Sequence, residues 1–243
     1  MIVAGGGPAG IAAAVSAARC GANTALIERY GILGGMMTSG AVHPILGNTA
    51  PNTMYQEVCA LLNEGHENVP KDTTRNGSEI HVDPEEAKYR LLKLVCDSGV
   101  KLYLQTPIAD VCKDGDRVTG VTVVTQDGLV TLNAKCVVDS TGDGFVAYRA
   151  GAEYHVGRES DGRCQPLSTE FTLENVDEAR AITCWGGSDP VTMPDGKKFS
   201  VFCREAHDRG ELPENVTIVR LHRTFYPGER NVNATQVNGL DSL

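Results

Sequence analysis

The sequence predicts an α/β fold: a parallel βαβ unit extended by a three-stranded β-meander, followed by a second, mostly β (α+β) domain. Three observations predict it. Apolar Ile2 to Ala4 run into the glycine loop Gly5-Gly6-Gly7-Pro8-Ala9-Gly10, then an alanine-rich stretch, then a second apolar run that ends on Glu28. Turn tripeptides at Asp114-Gly115-Asp116 and Gln126-Asp127-Gly128 separate three β-branched runs. From Ala152 the helical signals fade and polar loops dominate.

The elements follow in order. Ile2 to Ala4 is a short strand. Ile11 to Cys20 reads as a helix, stopped by Gly21, and Thr24 to Ile27 as the next strand. Glu28 stands eighteen residues beyond Gly10, which completes a dinucleotide-binding fingerprint of the Rossmann kind. Gly5 allows the tight turn out of the strand. Gly7 lets a pyrophosphate approach the backbone, and Gly10 lets the helix pack close. Pro8 and Ala9 open the helix, whose free N–H groups and dipole favour a diphosphate. Glu28 can accept bonds from ribose hydroxyls and would repel a 2′-phosphate, which argues against NADP.

Arg29 to Gly40 is a glycine-rich loop, Tyr55 to Glu64 a helix stopped by Gly65, and His66 to Ser78 a polar surface loop. Asp83 is the expected N-cap and Pro84 the first residue of a helix running to Ser98, with Gly99 as its stop. Val100 to Gln105, Ile108 to Lys113, Val118 to Thr125 and Leu129 to Asn133 read as strands. The last three are a meander inserted before the compact strand Cys136 to Asp139, which ends in the turn Ser140-Thr141-Gly142-Asp143-Gly144 and a short helix to Ala150. A domain boundary near Gly151 divides residues 1–151 from 152–243, where β pieces are expected at Glu170 to Leu173 and Val216 to Leu221.

Bulk composition narrows the partners. The net charge is −9, with no basic run, which disfavours nucleic acid and anionic membrane. Met1 to Ala18 is uncharged, but it has no positive start and is broken by glycines and a proline, so neither a targeting nor a transmembrane segment is expected. The N-x-S/T triplets at Asn76, Asn215 and Asn233 are read as chance matches. The eight cysteines contain no C-x-x-C and are expected to be reduced, buried thiols of a cytoplasmic protein, Cys59, Cys96 and Cys136 among them. Cys203 and His207 are four apart, but two ligands do not make a zinc site.

Four stretches together carry a resemblance. They are Ile2 to Glu28; Glu28 to Gly40 with its Gly34-Gly35 pair; Gly99 to Gly120; and Val138-Asp139-Ser140-Thr141-Gly142-Asp143-Gly144. The chain resembles FAD-dependent oxidoreductases with two dinucleotide-binding domains, most of all the heterodisulfide reductase A-like and fumarate reductase-like branch. The resemblance spans about residues 1–150, and Gly157 to Asp177 and Val232 to Thr235 are similar to the start of that group's substrate domain.

The resemblance implies FAD as cofactor, with Gly5, Gly7, Pro8, Ala9 and Gly10 at the pyrophosphate. Glu28 would bind the adenosine ribose and Arg29 would lie beside the adenine. Gly34, Gly35, Met36 and Thr38 would run toward the flavin, the Ile108 backbone would meet the adenine edge, and Thr141 and Gly142 would close over the cofactor. Of Met36 and Met37, one is expected to be core. The activity implied is electron transfer between a small-molecule substrate and flavin, with a second electron carrier as partner. Related proteins work with iron–sulfur clusters, but the scattered cysteines here support none. The alternatives are an NAD-dependent dehydrogenase and a non-catalytic nucleotide-binding module. His43, His155, Arg163, His222 and Arg223 are candidates for holding an anionic or carbonyl substrate, yet no spacing singles out an acid or base, so no catalytic residue is assigned. The chain departs from the group in its short first strand and in stopping at Leu243, before the group's late Gly-Asp turn, so the expectation is a fragment of a longer flavoprotein, with an unusually reduced second domain as the alternative.

Overall fold

The computed structural model describes residues 1–42, 44–45, 53–65, 80–187 and 189–239. The chain divides into two compact units, residues 1–154 and 155–243.

The first unit opens with β1 (Ile2–Ala4), α1 (Pro8–Arg19) and β2 (Ala25–Ile27), then a 3-10 turn at Gly35–Met37 inside the expected loop. β3 (Pro44–Ile45), α2 (Met54–Asn63), β4 (Ile80–His81), α3 (Pro84–Asp97) and β5 (Lys101–Tyr103) follow. The meander is β6 (Ile108–Asp114), β7 (Arg117–Thr125) and β8 (Gly128–Asn133), and β9 (Val137–Asp139) and α4 (Phe145–Ala150) complete the unit.

β1 lies inside a parallel sheet of order β5-β2-β1-β9, paired in register with β2 and β9. All three of its residues are buried, as a strand covered on both faces requires. Alternation along the strands sends successive side chains to opposite faces. Val3 and Leu26 face the helical side and pack with Ile11, Val15, Leu91 and Val95. Ile2 and Ile27 face the other way and pack with Val121 and Val123 of β7. The meander is therefore a third layer, covering the face of the parallel sheet that the helices leave open.

The helix ends follow local chemistry. Asp83 accepts from the N–H of Glu85 at 2.8 Å and of Glu86 at 3.2 Å, with Pro84 in the first turn where its missing donor costs nothing. Gly99 at φ +75 stops the helix. Ala87, Leu91 and Val95 recur at intervals of four, the buried stripe of an amphipathic helix. The two-residue ladder β3–β4 was not read from sequence, and the expected loop at residues 66–78, with Asn76, lies outside the described residues.

The second unit holds β10 (Phe171–Leu173), α5 (Phe199–Asp208), β11 (Arg220–Arg223) and β12 (Arg230–Asn233), with an antiparallel sheet of order β10-β12-β11. The α+β character expected of this part holds: the buried residues of α5 are Phe199, Cys203 and Ala206, and the first two pack with Cys184 and Ile218. One expectation is corrected. The strand expected at Val216 to Leu221 begins only at Arg220, where the ladder with β12 starts, because Val216 N is turned back onto Pro213 O.

The expectation of buried cysteines is also corrected. Cys59, Cys184 and Cys203 are buried, but Cys20, Cys96, Cys136 and Cys164 are exposed, and none forms a disulfide among the described residues. Cys96 follows the buried Val95 on α3 and so faces outward, and Cys136 precedes β9. An apolar sequence neighbour does not bury a residue when the element has two faces. Among the described residues, no helix is long and apolar enough to cross a membrane.

Candidate functional site

The carboxyl ends of β1, β2 and β9 meet at the glycine loop. Gly5 N donates to Ile27 O at 2.8 Å, and Ser140 N donates to Ala4 O at 2.8 Å, so the ladders on both sides of β1 run into the loop. The glycines then divide into two kinds. A Cβ on Gly5 would stand 2.3 Å from Ser140 O, and Gly5 has φ +97. A Cβ on Gly10 would stand 1.8 Å from Gly5 O. On Gly6 it would meet Leu33 at 2.5 Å and the Glu28 carboxylate at 3.0 Å. These three are glycine because the protein's own chain presses on them. At Gly7 a Cβ would meet no protein atom within 4 Å, so its open side is available to a ligand.

Gly7 is also the N-cap of α1, extended at φ −73, with no side chain capping it. Ile11 N is the first amide bonded back into the helix, to Gly7 O at 3.0 Å. The N–H groups of Ala9 and Gly10 are thus outside the helical ladder at the positive end of the dipole, and Pro8 has none to place. This donor set matches a diphosphate.

Glu28 sits at the tip of β2, 7% exposed. One carboxylate oxygen accepts from Gly6 N at 2.6 Å and the other from Tyr30 N at 2.8 Å. The carboxylate therefore props the loop. Each oxygen still has a second lone pair for a hydroxyl donor. Arg29 lies over the exposed Tyr30 ring, 4.8 Å from its centre, forming a flat cationic shelf beside Glu28.

The Gly34-Gly35 segment is drawn onto the same loop. Gly34 N donates to Gly6 O at 2.9 Å, and a Cβ on Gly35 would lie 3.0 Å from Gly7 Cα. Of the two methionines, Met37 enters the core and Met36 is 59% exposed. The Thr38 hydroxyl is buried and donates to Leu33 O at 2.7 Å, so it shapes the segment from inside. Ile108 begins β6, half-buried against Val121 and Val123.

Past β9 the turn is organised by Asp139, a residue the sequence reading quoted but did not assign. Its carboxylate accepts from Thr141 N at 3.0 Å, Thr141 Oγ1 at 2.7 Å and Ala147 N at 2.8 Å. The signal was available: an acidic residue closing a strand before Ser-Thr-Gly makes an Asx turn. The Thr141 hydroxyl in turn accepts from Phe145 N, so the threonine is committed to the turn, while Gly142 at φ +87 is open. Ser140 was likewise unassigned, yet its backbone is what forbids a side chain at Gly5.

The substrate candidates do not converge. His155 and Arg163 are exposed, Arg163 beside Asp161 at 3.9 Å. His222 is buried against Trp185, ring centres 4.2 Å apart, and Arg223, next on β11, points to the opposite face and donates to Thr183. His43 lies outside the described residues. His207 bonds Asp208 and Glu214 O, both of which favour its charged form, and no group of three or more His, Cys, Asp and Glu is set to hold a metal among the described residues. A shallow cavity between α1, α2 and α3 is lined by Arg19, Arg90 and Lys93, but each is paired with a carboxylate, and Arg19 is at the end of α1 remote from the loop.

Comparison with known proteins adds four findings. The model of the family described as FAD dependent oxidoreductase matches residues 1–243. The chain is 29% identical over 180 residues to a thiamine thiazole synthase of Methanothermobacter thermautotrophicus, covering 68% of this chain and 65% of that one. It is 31% identical over 182 residues to a tRNA uridine 5-carboxymethylaminomethyl modification enzyme of Aquifex aeolicus, covering 69% of this chain and 28% of that one. The chain thus spans less than two thirds of the length of either relative. In fold it is similar to a geranylgeranyl bacteriochlorophyll reductase-like protein of Thermoplasma acidophilum, with TM-score 0.60, 17% identity, and 96% of this chain and 55% of that chain covered.

Proposed function

The chain belongs to the FAD-dependent oxidoreductase family, and from that premise we propose that residues 1–154 hold the adenosine-diphosphate half of FAD in an enzyme that moves electrons between a small-molecule substrate and the flavin. One observation carries the reading: the open face of Gly7, the unladdered N–H groups of Ala9 and Gly10, the Glu28 carboxylate and the Gly34-Gly35 segment all meet at one strand end. Ligands of open α/β sheets sit at such carboxyl ends.

In this reading Gly7 and the start of α1 bind the diphosphate and Glu28 the ribose. Arg29 and Tyr30 face the adenine, with the backbone at Ile108 on its edge. Gly34, Gly35 and Met36 line the path onward, and Gly142 closes over it. Thr38, Asp139 and Thr141 position these groups rather than touch the cofactor, since their polar atoms are used internally. The flavin would supply the redox chemistry, and the protein would bind and orient it. A small-molecule substrate and an electron-carrier partner belong to the same reading. The two curated relatives act on unlike substrates, so neither substrate transfers here. The net charge of −9 supports neither tRNA nor an anionic membrane as partner. Unpaired exposed thiols support a cytoplasmic location.

The test is the visible absorption spectrum of purified protein, with chromatographic identification of the nucleotide released on denaturation. A flavin spectrum and released FAD, or uptake of added FAD by apoprotein, is expected. Tight NAD binding with no flavin uptake would overturn the proposal.

A further inference from the structure

The sheet formed by β6, β7 and β8 ends on β8, whose only neighbour among the described residues is β7. Edge strands are ordinarily blunted by charge, proline or a bulge. β8 reads Gly-Leu-Val-Thr-Leu-Asn, with no charge and no proline, and its register with β7 is unbroken. Leu129 is 69% exposed and Val130 37% exposed.

The direction of the free edge can be read from two bonds. Ala134 N donates to Thr119 O, on the β8 side of β7, and Val124 N donates to Pro107 O, on the β6 side. Odd-numbered residues of β7 therefore face β8. In the observed register their partners are Gly128, Val130 and Leu132. The N–H and C=O groups of Leu129, Thr131 and Asn133 are left pointing outward.

We propose that β8 pairs antiparallel with β8 of a second copy of this chain, about a twofold axis at Thr131. In that register Thr131 opposes Thr131 of the second copy and Leu129 opposes Asn133. All three outward residues are paired, each pair exchanging two hydrogen bonds. Val130 falls opposite Leu132 on the inner face and extends the apolar layer across the axis. Charge selects the same register: the exposed Asp127 falls opposite the exposed Lys135 of the second copy, twice by symmetry. An interface of one strand pair is small, so the dimer is in concentration-dependent equilibrium with monomer.

Sedimentation velocity of the full chain over a concentration series tests it. Wild type is expected to pass from monomer to dimer as concentration rises. Asp127→Lys and Lys135→Asp alone each set like charges across the axis and weaken the dimer about tenfold, and the double reversal restores it. Thr131→Lys sets two ammonium groups at the axis and abolishes the dimer. All three positions are exposed, and circular dichroism confirms that each variant is folded. A protein that stays monomeric at its solubility limit overturns the proposal. So does a dimer indifferent to Thr131→Lys, or a double reversal no tighter than the singles.

Discussion

Gly7→Ala and Gly10→Ala differ by three positions in one loop, and the structure assigns them opposite consequences. A Cβ at Gly10 would lie 1.8 Å from Gly5 O, a backbone atom that cannot rotate away. Relief requires α1 to lift from the loop, at about 3 kcal/mol, the upper end for overpacking. In a domain of this size that lowers the melting temperature by roughly 6–12 °C. A Cβ at Gly7 meets nothing within 4 Å, and φ −73 suits alanine. Only the loss of a favourable N-cap residue is felt, about 0.5–1 kcal/mol. In the proposed reading the methyl group would stand where the diphosphate approaches. Losing one or two charge-assisted N–H bonds to phosphate costs about 3 kcal/mol, or roughly 100-fold in Kd. Thermal unfolding without FAD and fluorescence titration with FAD separate the two effects. Gly7→Ala is expected to be nearly as stable as wild type and poor in FAD; Gly10→Ala is expected to be destabilised before any ligand is added. Wild-type FAD affinity in Gly7→Ala would refute the reasoning, as would equal destabilisation of the two variants.

Glu28→Gln keeps one acceptor but turns an amide N–H₂ toward a backbone N–H, since both carboxylate oxygens accept amides here. It should cost about 1–3 kcal/mol in unfolding free energy and weaken FAD binding as well. Met37→Ala should destabilise by about 2–4 kcal/mol in urea titration, while Met36→Ala, exposed, should stay within about 0.5 kcal/mol and act only on the flavin spectrum. In the second unit Arg230, 3% exposed, holds the Glu178 carboxyl down to about 2 from its usual 4.5. A carboxylate with a depressed folded-state pKa stabilises fully above 4.5 and loses that contribution as pH falls toward 2. With the Glu178 side chain 40% exposed, the contribution is on the order of 1–2 kcal/mol. Urea unfolding followed by Trp185, the sole tryptophan, should show this slope, and Glu178→Gln should flatten it. Glu178→Ala strands a buried guanidinium and should cost about 3 kcal/mol at neutral pH.

Local chemistry made most of the first unit legible. Asp83-Pro84 and Gly99 bound α3 because caps act through backbone groups two or three residues away. The βαβ unit was legible because strand, loop, helix and acid occur in unbroken succession. The α5 helix was not, since its apolar face is short and its partners Cys184 and Ile218 come from flanking segments. The cysteines were misjudged for a related reason: Val95 and Cys96 are neighbours in sequence and occupy different faces of one helix.

The sequence by itself determined the glycine loop and the distance from it to Glu28, because both are set within one strand–helix–strand unit. It also placed a turn after Asp139. Only the tertiary structure decided which glycines are confined by the protein's own chain and which is left open. Gly5 is confined by the Ser140 backbone and Gly10 by the Gly5 backbone, whereas Gly7 faces open space. It likewise turned Glu28 from a ribose acceptor alone into the prop of its own loop, and made the meander the cover of a sheet face. The confinement of Gly5 and the place of the meander depend on atoms more than a hundred residues apart in the chain, Ser140 against Gly5 and Val121 against Ile2, which come together only when the sheet is assembled.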